Sequence, residues 1–206
     1  MKKLILDFEM CQPVKIDNDT LIREIIEIGA VLLDENNKIV SEYSRYVKPV
    51  YCKLTPFIEK LTGITQANLD NGISITEAIK ELNELTDNFK ECTFSTWSNS
   101  DLNELQIEAK VKGIDIKNIE DAFEDIQLIF CEKLNYERQV GLKVATEMMG
   151  MDFDGHEHSA LADAKNTARV YFKLKDDELV DKVKLTKTSE PLTSSLGSMF
   201  DFSKFF

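Results

Sequence analysis

The sequence predicts an α/β domain, a mixed sheet flanked by helices, and three features predict it. β-Branched or alternating runs occupy much of the first 48 residues, helical periodicity then dominates, and one further apolar run at 92–97 interrupts it. Residues 2–9 (KKLILDFE) read as a buried strand with a polar C-terminal end. Residues 23–34 and 38–48 read as two more strands, and Asp34-Glu35-Asn36-Asn37 between them supplies the turn residues of a hairpin. Thr55-Pro56-Phe57 opens a short helix with Pro at its first position, and Gly63 closes it. Ser74 or Thr76 caps a longer helix whose Ile75, Ile79, Leu82, Leu85 and Phe89 form one apolar stripe. CTFSTW at 92–97 is the fourth strand, and Asp101 starts a helix that Gly113 ends. Two further helices are expected near 119–134 and 140–149, and the last large one from about Ser159 to Leu174.

With 206 residues, 43% hydrophobic and 30% charged, the chain can bury one full core. Residues 1–185 are expected to form that domain. From Thr186 the Ser/Thr-rich stretch TKTSEPLTSSLGS reads as a linker, and the chain closes on a Phe-rich tail, MFDFSKFF. Lys and Arg number 25 against 37 Asp and Glu, a formal charge of -12. Such a surface repels duplex DNA, so any nucleic acid must be drawn in by bound metal ions or a local basic strip, for which Lys165, Lys182, Lys184 and Lys187 are candidates. No apolar run is long enough for a transmembrane helix, and Asp7 cuts the first one too short for a signal peptide. Cys11, Cys52, Cys92 and Cys131 lie about forty residues apart without paired spacing. They read as reduced thiols of a cytoplasmic protein, not as zinc ligands.

The acids are the informative residues. Asp7 and Glu9 stand two apart at a strand end, so both side chains face one side, where their repulsion calls for a cation or for solvent. Asp101 follows a strand and precedes a helix, as an N-cap also would. Asp163 sits in a helix among Ala160, Ala162 and Ala164, which suggests close approach of another backbone, although a solvated helix acid is the plainer reading. His158 stands at the start of that helix, and His156 reads as a loop residue. Trp97 and Phe8 read as core, Phe8 because it points opposite to Asp7 and Glu9, and Met10 stands at the mouth of the acidic face.

Taken together, LILDFEM, EIIEIGAVLLD, STWSNSD and HSALADA resemble the DEDDh (DnaQ-like) 3′–5′ exonucleases. KLTPFIEKLTGIT and the D-F-E form of the first motif are similar to the branch of enhanced-RNA-interference and histone-mRNA exonucleases. The resemblance spans roughly residues 1–180. It implies the ribonuclease H-like fold, a mixed five-stranded sheet flanked by helices. It also implies two Mg²⁺ or Mn²⁺ ions per active site held by Asp7, Glu9, Asp101 and Asp163, with His158 as the base that takes a proton from water. Phe8 and Met10 are the expected substrate contacts. Many relatives carry Thr soon after the D-x-E, where this chain has Met10 and Cys11.

The implied activity is metal-dependent 3′–5′ hydrolysis of single-stranded RNA or DNA, releasing 5′-nucleotides from a free 3′ end. A proofreading exonuclease and a non-catalytic module presenting its tail to a partner are the alternatives. The Phe-rich tail is a candidate anchor for a protein partner. No membrane association is expected.

Overall fold

The computed structural model describes residues 1–17 and 20–189, with side chains up to residue 184. In chain order the elements begin with β1 (Lys2–Met10), the small hairpin β2 (Val14–Lys15) and β3 (Leu21–Ile22), then β4 (Ile25–Leu33) and β5 (Ile39–Tyr46). Helices α1 (Pro56–Thr62), α2 (Gln66–Asp70) and α3 (Ile75–Thr86) follow, then β6 (Cys92–Thr96) and α4 (Asn99–Lys112). The remainder is α5 (Lys117–Asp121), β7 (Phe123–Asp125), α6 (Ile126–Leu134), α7 (Leu142–Met148), α8 (Ala160–Lys173) and α9 (Asp177–Ser189).

The main sheet has the order β5-β4-β1-β6-β7. β4 runs antiparallel to both β1 and β5, whereas β6 is parallel to β1 and β7 parallel to β6. This is the mixed five-stranded sheet expected. The helix punctuation is local and chemical. The Thr55 side chain accepts from the Ile58 N–H with Pro56 at the first position, Ser74 accepts from the Glu77 N–H, and Gly63 ends α1 in the left-handed region at φ 74°.

Alternation along the central strands sorts side chains onto two faces. Leu4, Leu6 and Phe8 join Ile28, Ala30 and the stripe of α3 in one core. Ile5 joins Val31, Leu33, Phe130, Ala168 and Val170 in the other, beneath α6 and α8. Every residue of β4 is buried, as suits a strand covered on both faces. Trp97 is in the second core, its indole N–H donating to the Val140 carbonyl at 3.1 Å.

The short elements β2, β3, α2, β7 and α9 were not expected from the sequence. β7 interrupts the region read as one helix near 119–134, where three residues pair with β6 before α6 begins. α9 continues to Ser189, inside the stretch read as linker from residue 186. The rest of that tail, including its Phe residues, lies outside the described residues. Among the described residues no helix is long and apolar enough to cross a membrane, and all four cysteines are buried and form no disulfide.

Candidate active site

The site lies where β1 outruns its pairing with β6. Ile5, Asp7 and Glu9 face the α8 side, directly across from Val31, Gly29 and Glu27 of β4. Ile5 is core, so the acids continue an apolar row toward the C-terminal end of β1. Gly29 is the reason α8 reaches them. A Cβ there would stand 2.0 Å from the Leu161 backbone nitrogen and 2.1 Å from the Ala160 carbonyl carbon. With no side chain in the way, the first turn of α8 rests on the strand opposite Asp7, and Asp163 is in that turn. The alanines around Asp163 do signal close backbone approach.

Asp101 comes from the other side. It is not the N-cap of α4: Ser98 occupies that position, and Asp101 lies in the first turn, 7% exposed. Its carboxylate accepts a hydrogen bond from the Phe8 backbone N–H, between Asp7 and Glu9. His158 precedes α8 in the left-handed region at φ 63°, its N–H donating to Asp163 Oδ2 at 3.2 Å. One ligand atom each from Glu9, His158 and Asp163 lie within 4.8 Å of one another. The imidazole therefore faces the acids, while His156, also exposed, is not part of that cluster.

Burial and mutual repulsion act on all these acids. Asp7 is held well above the usual carboxylate range, first by burial and then by the charges of Asp101, Asp163, Glu9 and Glu27. Glu9 is pushed up to about 8, by burial and then by Asp163 and Glu27. Asp101 and Asp163 are each raised to about 7, chiefly by burial, against the hydrogen bonds that Phe8 and His158 donate. Among the described residues no Lys or Arg forms an ion pair with any of them. The arrangement is a concentrated set of oxygen ligands with a histidine at its edge.

Of the two expected substrate contacts, Met10 is partly buried and packs against the first core. Phe8 is 6% exposed and packs in that core, as its position opposite to Asp7 and Glu9 led one to expect, and its backbone N–H donates to Asp101. Of the expected basic strip, Lys165 pairs with Glu42 at 2.8 Å and Lys184 with Asp181 at 3.4 Å, and the Lys187 side chain lies outside the described residues. Sequence reasoning missed Glu27, which is buried, faces Glu9 across the ladder and accepts from the Ala160 N–H at 3.1 Å. One acid within the otherwise apolar IIEIGAVLL was the signal that could have found it.

The profile of the RNase_T exonuclease family matches residues 4–171. The chain is similar to ERI1 exoribonuclease 2 of Xenopus laevis, 31% identical over 219 residues that cover 94% of this chain and 31% of that protein. It spans 26–31% of the length of the ERI1 exoribonuclease 2 proteins from Xenopus laevis, human and mouse that it matches. It is also similar to the probable 3′-5′ exonuclease KapD of Bacillus subtilis (strain 168), 32% identical over 203 residues, covering 98% of this chain and 94% of that protein. Among solved structures, the nuclease domain of 3′hExo, a DEDDh family member bound to rAMP, superposes with a TM-score of 0.76 at 26% identity, covering 87% of this chain and 94% of that one.

Proposed function

Because the chain belongs to the exonuclease family, in its DEDDh branch beside the ERI1-type enzymes, we propose that it removes nucleotides from the 3′ end of single-stranded RNA or DNA, using divalent metal and releasing nucleoside 5′-monophosphates. The observation that carries this reading is the meeting of Asp7, Glu9, Asp101 and Asp163, drawn from three elements, with the His158 imidazole beside them.

The donor set fits hard cations. It is made of carboxylate oxygens, buried together and lifted above their ordinary pKa, with no Lys or Arg among the described residues paired with them. Asp7, Glu9, Asp101 and Asp163 would hold Mg²⁺ or Mn²⁺, two per site. When bound, such ions supply positive charge that offsets the carboxylates and the charge developing on the phosphate oxygens.

The chain's own part is positioning and proton transfer. His158 takes a proton from the attacking water at an imidazole nitrogen. As water oxygen bonds to phosphorus, the bond to the 3′ oxygen of the penultimate nucleotide breaks, and the terminal nucleotide leaves with its 5′ phosphate. Met10, at the mouth, contacts the terminal nucleotide. The Phe-rich tail is the proposed anchor for a protein partner, and removing residues 190–206 should abolish partner capture without changing turnover.

The test places single-stranded RNA, single-stranded DNA and mismatched or matched duplex DNA side by side with Mg²⁺, Mn²⁺ or chelator. Metal-dependent shortening from the 3′ end, lost in Asp7→Ala, is expected. No product from any 3′-ended strand with metal present would defeat the reading, and preference for mismatched duplex ends would favour proofreading.

A further inference from the structure

We propose that Glu27 is a positioning residue for this reaction: its carboxylate latches the turn at 158–160 and so holds His158 against the acidic cluster. The inference rests on the exonuclease reading with His158 as base. Glu27 is 6% exposed on a strand whose other eight residues are apolar or glycine. It stands opposite Glu9, on the α8 side of the sheet. Its Oε2 accepts from the N–H of Ala160, the first residue of α8 and the second after His158.

A helix start is commonly satisfied by its own N-cap side chain. Ser159 occupies that position here but makes no capping hydrogen bond, so the cap comes from the sheet. The turn needs an outside hold. His158 is exposed and adopts a left-handed backbone conformation uncommon for a residue with a side chain. Two carboxylates hold this turn, Asp163 through the His158 N–H and Glu27 through the Ala160 N–H. For stability alone, another buried acid beside four carboxylates is an unfavourable choice. Its geometry instead ties the base to the strand that faces Glu9.

Steady-state kinetics of the full chain on a 3′-ended oligonucleotide with Mn²⁺ test this, using Glu27→Ala, Glu27→Gln, His158→Ala and the Glu27→Ala/His158→Ala double variant. Melting temperatures with and without Mn²⁺ accompany them. Glu27→Ala should lower kcat by about 10–100-fold through a displaced base, leaving KM and the Mn²⁺-induced rise in Tm near wild type. Glu27→Gln, whose amide oxygen can accept the same N–H, should recover most of the loss. The double variant should be no slower than His158→Ala, because residues acting as a unit are not additive. If Glu27→Ala does not fold, Glu27→Asp, too short to reach Ala160, takes its place with the same expectations. Multiplicative losses, loss of the Mn²⁺ response, or a Gln variant as slow as the Ala variant would each overturn the latch. An inactive wild type, or a His158→Ala variant as fast as wild type, would instead defeat the catalytic reading beneath it.

Discussion

Gly29→Ala is the sharpest test of how the fold assembles the site. The added methyl would lie 2.0 Å from the Leu161 nitrogen, 2.1 Å from the Ala160 carbonyl carbon and 2.4 Å from the Ala160 oxygen. These are backbone atoms at a helix start, so no side-chain rotation relieves the clash. Ordinary contact begins at 3.4 Å, so the first turn of α8 must recede by roughly 1.4 Å. That movement carries Asp163 away from Asp7 and stretches the 3.1 Å bond between Ala160 and Glu27 beyond hydrogen-bonding range. Overpacking of this kind typically costs about 1–3 kcal/mol of stability. A displacement near 1 Å at a catalytic group can cost about 100-fold in rate. Urea melts, the Mn²⁺-induced Tm shift and single-turnover cleavage should therefore fall together, with the loss of rate far exceeding any loss of folded protein. Gly141→Ala is the control, since a Cβ there meets nothing within 4 Å. A Gly29→Ala protein with wild-type turnover and an undiminished Mn²⁺ response would refute the claim that this contact places Asp163.

The acids also predict a pH dependence of stability. Glu9 keeps its proton up to about 8, and Asp101 and Asp163 up to about 7, whereas unfolded carboxylates ionise near pH 4. The folded chain thus binds more protons between those limits, and chelated protein should lose stability as pH rises from 5 to 8.5, by up to about 1.4 kcal/mol per unit for each proton. Thermal melts should show this, and Mn²⁺ should raise Tm more at pH 8 than at pH 6; a flat profile in chelator would contradict the assembled cluster. Lys112 bridges buried Glu24 and Glu108 at 2.7 and 2.6 Å, so Lys112→Met should cost about 3–5 kcal/mol in urea unfolding by stranding both acids. Nucleic-acid affinity should collapse in chelator and, with metal, depend only weakly on salt, because the chain carries a formal charge of -12 and the acids at the site repel phosphate; a steep salt slope that persists in chelator would point to a basic surface elsewhere.

What could be read from the sequence divides along physical lines. The three long strands and the caps at Thr55, Gly63, Ser74 and Gly113 are written in local chemistry, and each forms where its residues require. Period-two geometry alone placed Asp7 and Glu9 on one face. The three-residue β7 and the two-residue strands of the hairpin are too short to carry a period, and tertiary pairing makes them. Asp101 was open to an N-cap reading because helix starts are uncertain by a residue or two, and the helix begins two residues earlier. Glu27 and Gly29 were hidden for a different reason. Their importance arises from what lies opposite them, Glu9 and Asp7 on one side and the start of α8 on the other, and register is a property of pairs of strands rather than of one run of residues.

The contacts that bring the acids together are mostly made by backbone. Phe8 donates its N–H to Asp101, His158 donates its N–H to Asp163, Ala160 donates to Glu27, and the bare backbone of Gly29 admits α8. Substituting a side chain elsewhere in the site leaves these anchors in place, so the carboxylates are held close by the fold even while they repel one another. That repulsion is set against burial of the two cores on either side of the sheet. Such a frame keeps its ligand oxygens ordered before any cation arrives, which lowers the reorganisation needed on binding. It also separates the two kinds of acid: Asp7, Glu9, Asp101 and Asp163 press on one another electrostatically, while Glu27 directs an oxygen to the Ala160 N–H at the start of α8.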